Sequence, residues 1–246
     1  MIDIHCHVLW GVDDASQDRE TAKKMLQIAV EDGIEAILCT PHSLPYYKYE
    51  NDAQTLAAPF AALQALLAEE NWPIETALGC EFFLTDASLE WIRKGRALTL
   101  NGSRRLLIEF PWYQKVQLGS SETELLKQVL DAGYEVIIAH PERYKSVQED
   151  FSMLKRWRAM GCDFQVNRTS LILNDDKEQC ALAWRMVEEG YCDAVGTDAH
   201  HCWGKRVIKL SDVQAEIERR TDRDTALRLC HENGRRLITG EALIHR

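Results

Sequence analysis

Short apolar runs separated by amphipathic stretches recur along the whole chain. Residues 2–6, 34–40, 74–79, 105–108, 134–139, 162–166 and 193–197 read as short, largely apolar strands. Between them, apolar residues spaced three and four apart predict helices over 18–30, 53–70, 87–94, 122–130, 151–160 and 178–189, with a closing pair over 210–219 and 223–238. Gly33 and Gly133 stand where two of these helices should end, and Pro41, Pro73 and Pro111 interrupt or reset the chain at the strand ends. Pro59 falls inside the second helix, marking either a kink or that helix's true first turn. Strand–helix alternation predicts a parallel sheet, and seven such units suit a closed α/β barrel of the TIM-like (β/α)7 kind. An open doubly wound sheet is the alternative, but no glycine-rich phosphate loop follows the first strand. With no repeat, low-complexity tract or linker, residues 1–246 read as a single domain.

The polar residues at the ends of these runs change the picture. The first strand delivers His5 and His7, which share a face because strand side chains repeat every second residue, and its loop delivers Asp14. The second ends at His42, the third at Glu81, the fourth at Glu109 and the fifth at His140, and the seventh leads to Asp198 and His200. In a parallel barrel the C-terminal strand ends converge on one mouth, where catalytic residues are expected. Any one of these residues has a bland reading as a cap or a surface ion pair; nine of them at six strand ends point to a metal centre. Nine ligands exceed one tetrahedral ion, so two or three ions are implied. Mixed histidine and carboxylate suits Mn²⁺, Zn²⁺ or Fe without choosing among them. Clustered ions can deprotonate a water and clamp the oxygens of a displacement at phosphorus. Arg143 and Arg206, in loops at the same mouth, could neutralise a phosphoryl group.

Composition narrows the classes. A net charge of −10 disfavours nonspecific binding to nucleic acid or to an anionic membrane surface. No apolar run approaches the roughly 20 residues of a membrane span. The first strand begins at once, leaving no room for a signal peptide, so the cytosol is the expected compartment. Eight cysteines are scattered without a C-x-x-C pair and read as buried reduced thiols; Cys6 and Cys80 adjoin proposed ligands but should point to the opposite face.

The strings Asp3-Ile4-His5-Cys6-His7, Thr40-Pro41-His42, Gly79-Cys80-Glu81, Ala139-His140-Pro141-Glu142-Arg143-Tyr144 and Thr197-Asp198-Ala199-His200 resemble motifs of the PHP (polymerase and histidinol phosphatase) domain. Val12-Asp13-Asp14 and the HPERY string resemble, within it, the CpsB-type tyrosine-protein phosphatases of bacterial capsule and exopolysaccharide biosynthesis. The resemblance implies a distorted (β/α)7 barrel (the PHP fold) and a manganese-dependent trinuclear site. It also implies a phosphotyrosyl protein substrate, a membrane-associated bacterial tyrosine autokinase. One ion would take His5, His7, Glu81 and Asp198; a second would share Glu81 and add Glu109 and His140; a third would take Asp14, His42 and His200. Arg143 and Arg206 would hold the phosphate. The chain departs from the pattern at Ala15, where Gly commonly follows the aspartates, and at Ser43, where a second His is common. Histidinol phosphate or another small phosphate is the alternative substrate, with a closed pocket expected in place of an open mouth. The Tyr46-Tyr47-Tyr49 loop is a candidate wall of that mouth, and a homo-oligomer is compatible with the sequence.

Ordinary tyrosine phosphatases use a C-x5-R loop, and Cys162…Arg168 and Cys230…Arg236 match that spacing. An extended strand through residue 166 would hold the first pair about 20 Å apart. The second cysteine lies in a predicted helix without an anion-binding nest. Both matches are therefore expected to be chance.

Overall fold

A computed structural model describes residues 1–111, 118–173 and 175–246. Its strands are β1 (Ile2–Cys6), β2 (Ala36–Cys39), β3 (His42–Ser43), β4 (Glu75–Leu78), β5 (Glu81–Phe83), β6 (Arg105–Glu109), β7 (Glu135–Ala139), β8 (Asp163–Asn167) and β9 (Ala194–Gly196). Every pairing between them is parallel. The seven predicted runs yield nine strands because the second and third each resume beyond their expected end, as β3 after Pro41 and β5 after Gly79-Cys80. Pro41 brings no N–H to the ladder, and Gly79-Cys80 interrupts the neighbouring run at the same level. The break divides the pairing into a β1-β2-β4 sheet and a β3-β5-β6-β7-β8-β9 sheet. Gly79 N donating to Cys39 O (2.9 Å) and Glu81 N donating to Pro41 O (3.0 Å) carry it across the gap.

The ring closes between β9 and β1. Asp198 N donates to His5 O at 2.7 Å, His7 N to Ala199 O at 3.1 Å, and Cys6 bridges Ala199. The buried Asp3 carboxylate buttresses this seam, accepting from Thr197 N (2.9 Å) and Thr197 Oγ1 (2.5 Å). The seam demands a glycine: a Cβ on Gly196 would stand 2.6 Å from His5 Cβ.

Two apolar cores fill the two sides of the strands. The inner one joins Ile2, Ile4, Ala36, Leu38, Leu107 and Ile137 and is plugged from below by Leu100, Leu237 and Ile238. The outer one packs alternate strand residues such as Ile37, Cys39, Leu106 and Ile138 against the helices, including Met25, Leu26 and Leu126. Between Asp3 and Cys6 the β1 register slips by one residue against β2, so Asp3 lies opposite Ile37 and Cys6 opposite Cys39. The extra residue leaves Ile4 in the inner core and Cys6 in the outer one.

The helices follow their punctuation. Asp18 caps Arg19–Glu31 by accepting from Thr21 N, and reciprocal capping boxes open Ala53–Glu69 (Asp52 with Thr55) and Glu122–Asp131 (Ser121 with Glu124). Pro59 lies in the interior of Ala53–Glu69, which continues through it. The helix expected over 223–238 is divided by a π-helical turn, Arg228–Glu232. Directly after that turn, the Asn233 side chain bonds Asp193 O (2.7 Å) and Ile244 O (2.9 Å), and Gly234 faces Ile2. Two short helices that the periodicity does not predict, Lys145–Glu149 and Arg168–Ile172, lie beyond β7 and β8 at the mouth end. No helix among the described residues is long and apolar enough to cross a membrane.

Candidate metal centre

All nine proposed ligands meet at the C-terminal mouth of the strands. His5, His7, Glu81 and Asp198 offer ligand atoms that all lie within 4.8 Å of one another, and so do two further groups, His42 with Glu81 and Glu109, and His7 with His42 and His200. Their elements explain the convergence. His5 is the penultimate residue of β1 and His7 follows the strand, Glu81 opens β5, Glu109 closes β6, and His42 opens β3. His140 directly follows β7 and Asp198 lies two residues beyond β9, and both take positive φ angles (33° and 51°) that turn the chain over the mouth. Such conformations are unusual for non-glycine residues and recur where the surrounding structure imposes them for function.

The centre of the cluster is dense with nitrogen and oxygen. His5 Nε2 and His7 Nε2 face each other at 3.1 Å, and Glu81 Oε2 lies 3.3 Å from each of them and 3.0 Å from His42 Nδ1. His140 Nε2 approaches Glu81 Oε1 at 2.8 Å and Glu109 Oε1 at 3.8 Å. Asp14 is the outlying member: its carboxylate is 58% exposed and lies 3.6 Å from His42 Nε2 and 3.9 Å from His200 Nε2. His140 keeps its expected place beside Glu81 and Glu109, and His42 approaches the same two carboxylates from the other side, at 3.0 Å from Glu81 Oε2 and 3.8 Å from Glu109 Oε2.

A divalent cation fits this donor set. Two imidazole nitrogens can share at most one proton between them, yet here they converge with carboxylate oxygens on one point. Glu81 Oε2, fully buried, makes no well-formed hydrogen bond despite these neighbours. The far side of each ring is fixed as a ligand's should be. Gln165 Oε1 accepts from His5 Nδ1 (2.8 Å) and Asp13 Oδ2 from His7 Nδ1 (2.8 Å), so both rings carry a proton on Nδ1 and aim Nε2 inward. Asp13 also accepts from His42 N (3.1 Å), and Gln165 is held by donating to Asn167 Oδ1 (2.7 Å).

Electrostatics point the same way. Burial opposes charging of His5, but Glu81 and Asp198 outweigh it and raise its pKa to about 9; burial likewise opposes His42, which Glu81 and Glu109 raise to about 10. His140 is pushed down to about 4, by burial and by the Arg143 guanidinium, which overcome the pull of Glu81. Burial would raise Asp198, yet Arg206, Arg143 and His5 hold it well below the usual carboxylate range. The site therefore gathers ionised carboxylates that only concentrated positive charge balances.

Arg143 and Arg206 both grip Asp198, through Arg143 Nη1 to Oδ2 (2.8 Å) and Arg206 Nη2 to Oδ1 (2.5 Å). Asn167 Nδ2 adds a third bond to Asp198 Oδ2 at 2.9 Å. Both arginines line a cavity of about 290 Å³ together with every proposed ligand except His5 and His7, which lie beneath it. In the 46–49 loop Tyr46 Oη donates to Glu90 (2.5 Å), and Tyr47 leans on Phe83, the register partner of Glu109, with ring centres 5.8 Å apart. Ser43 donates to Asn51 O (2.6 Å) and pins the base of that loop.

The cysteine loops are ruled out by the geometry. Cys162 and Cys230 are buried, and burial raises both thiols to about 12. Arg168 is committed to Asp212 and to Lys205 O (2.9 Å). Cys6 and Cys80 sit in the outer core, as expected of the face opposite the ligands.

Residues 1–239 match the family described as capsular polysaccharide synthesis, CpsB/CapC. The tyrosine-protein phosphatase YwqE of Bacillus subtilis (strain 168) is 33% identical over 202 residues, 82% of this chain and 78% of the relative. The tyrosine-protein phosphatase CpsB of Streptococcus pneumoniae is 31% identical over 170 residues, 68% and 67% of the two chains. A solved structure from work on YwqE and CpsB, described there as unique metal-dependent tyrosine phosphatases, superposes with a TM-score of 0.89 at 28% identity, covering 100% of this chain and 97% of that one. A histidinol phosphate phosphatase from Lactococcus lactis shares the fold alone, with a TM-score of 0.55 at 16% identity over 93% and 94% of the chains. A barrel of this topology with histidines and carboxylates gathered at its mouth, matched over nearly its whole length, belongs to the CpsB/CapC family.

Proposed function

We propose that the protein is a metal-dependent protein-tyrosine phosphatase. The observation that carries the reading is the junction at Asp198: one buried carboxylate shared between a four-residue metal cradle (His5, His7, Glu81, Asp198) and two arginines facing the same cavity. His5, His7, Glu81 and Asp198 would hold one ion; Glu81, Glu109 and His140, with His42 beside them, would hold a second, and Asp14, His42 and His200 a third. Manganese is the ion the reading favours, with zinc or iron accommodated by the same donors. When bound, such ions supply a lowered pKa for water and positive charge against phosphoryl oxygens. The chain's own part is to fix the cradle and the phosphoryl group. Gln165 and Asp13 orient the first two imidazoles. Arg143 and Arg206, anchored on Asp198, present guanidinium charge to the non-bridging oxygens as negative charge builds there. The substrate class is phosphotyrosyl protein, with a bacterial tyrosine kinase of capsule or exopolysaccharide synthesis as the partner and the cytosol as the setting.

The test pairs elemental analysis of the purified protein with turnover of a phosphotyrosyl peptide and of histidinol phosphate after Mn²⁺ supplementation. Preferred turnover of the peptide, abolished by chelation and by His5→Ala, is expected. Turnover of histidinol phosphate alone would transfer the assignment to the small-phosphate reading.

A further inference from the structure

Two hollows lie next to the metal-side cavity in turn, each sharing lining residues with the one before. The nearer, also about 290 Å³, is lined by the same Arg143 and Arg206 and continues to Thr169, Ser170, Leu173 and Gln179. The farther, about 650 Å³, shares Leu173 and adds Ile172, Cys180 and Glu216. The short helix Arg168–Ile172 that follows β8 forms the ridge common to both.

The chemistry of this groove differs from that of the cavity it leaves. Its charges are already matched: Lys205 pairs with Asp175, and the Asp176 carboxylate caps the next helix by accepting from Glu178 N and Gln179 N (3.0 Å each). Gln179 Nε2 is spent on Ser170 Oγ at 2.8 Å. Beyond the arginines the groove therefore offers no surplus cation for a second phosphate. It offers half-buried apolar surface at Ile172 and Leu173 beside small hydroxyl side chains. A free aryl phosphate would end at the arginines, whereas a tyrosine within a polypeptide carries main chain onward from its ring. A nearly neutral hollow that shares both arginines with the phosphoryl position suits that main chain.

We propose that this groove is a polypeptide track, binding the residues on one side of the phosphotyrosine with an apolar side chain seated against Ile172 and Leu173. The inference rests on the phosphatase reading above and adds how a protein substrate is told from a small ester. Leu173→Trp and Gln179→Trp each fill the track without altering any proposed metal ligand or either arginine.

Two measurements test it: kcat/KM of the metal-loaded protein for p-nitrophenyl phosphate and for a phosphotyrosyl peptide with several residues on each side, and the affinity of the metal-free protein for the same labelled peptide by fluorescence anisotropy. With the track filled, peptide kcat/KM and peptide affinity should fall about tenfold, chiefly through KM, while p-nitrophenyl phosphate stays within about twofold. Preserved turnover of the small ester also shows that each variant is folded. Unchanged peptide kinetics, or equal losses on both substrates, overturns the track. If the unsubstituted protein turned over neither substrate, the phosphatase reading would fall by itself. The anisotropy would still decide the track, supported by weakened peptide binding in Leu173→Trp and overturned by unchanged binding.

Discussion

Gln165 does more for the centre than a neutral side chain suggests. Its Oε1 accepts from His5 Nδ1 and lies 3.4 Å from His140 N, while its Nε2 runs through Asn167 to Asp198, so one amide touches the supports of three proposed ligands. Gln165→Ala removes the acceptor that fixes the His5 tautomer, and loss of such an outer partner weakens metal binding by about 10- to 100-fold. The expected result is a right-shifted metal titration with the fold retained by circular dichroism; an unchanged titration would detach Gln165 from the centre. Two cysteines make the opposite case. Because burial raises Cys162 and Cys230 to about 12, both remain neutral thiols through the working pH range and cannot serve as nucleophiles. Cys162→Ser and Cys230→Ser should therefore keep phosphatase activity, and in the native protein iodoacetamide should reach the half-buried Cys180 and Cys202 first. Loss of activity in the serine variants at full metal occupancy would count against the metal mechanism. The ligands were legible in the sequence because each stands at a strand end, where residue type and position carry information together. Gln165 and Asn167 were not, although Asp163, Gln165 and Asn167 recur with a period of two inside an apolar run. That was a readable mark of a polar inner face. Asp13 stands next to a proposed ligand, and adjacent carboxylates in a sequence give no sign which one coordinates and which one orients.

At the level of elements, periodicity located the strands and most helices but not where pairing shifts between sheets. In sequence the second and third runs end at Pro41 and Gly79; in the structure both resume at one level as β3 and β5, and that offset places His42 and Glu81 at the mouth. The β1 register slip was equally invisible, since it depends on the partner strand and not on the composition of β1 itself. The short helix Arg168–Ile172 is below the length at which helical spacing can be recognised. Close approach at the β1–β9 seam makes a testable demand of its own. Gly196→Ala would place a methyl carbon 2.6 Å from His5 Cβ and 3.2 Å from Gln165 Nε2, so either the seam opens or both side chains shift. Overpacking of this kind costs about 1–3 kcal/mol. The variant should melt several degrees lower and bind metal more weakly, because the displaced side chains are a ligand and its orienting partner. A lowered melting temperature with wild-type metal affinity would show that the strain relaxes away from the centre.

For the molecule as a whole, the metal centre and the barrel's closure are one problem. Along most of the ring, adjacent strands are held by continuous ladders, as between β6 and β7, where four residue pairs are in register from Arg105–Glu135 to Ile108–Ile138. The β9–β1 junction is thinner, resting on Asp198 N to His5 O, His7 N to Ala199 O, and the Asp3–Thr197 bonds. The tightest proposed cradle straddles this junction, with His5 and His7 on one side and Asp198 on the other. Without a cation, Glu81 and Asp198 are balanced by protonated imidazoles and by the two arginines; an ion joining the same side chains would bind both edges of the ring at once. Ligand that binds only the folded state stabilises it by about 2.7 kcal/mol at a concentration 100 times its Kd. Mn²⁺ should therefore raise the melting temperature, and the gain should be localised. Hydrogen exchange at the amides of His7, Thr197 and Asp198 should slow markedly on metal loading, while the β6–β7 amides change little below the global unfolding limit. His5→Ala should erase both effects together, since it removes a ligand from one edge of the seam. Uniform slowing across all strands would instead mean that the ion stabilises the barrel without stapling its closure.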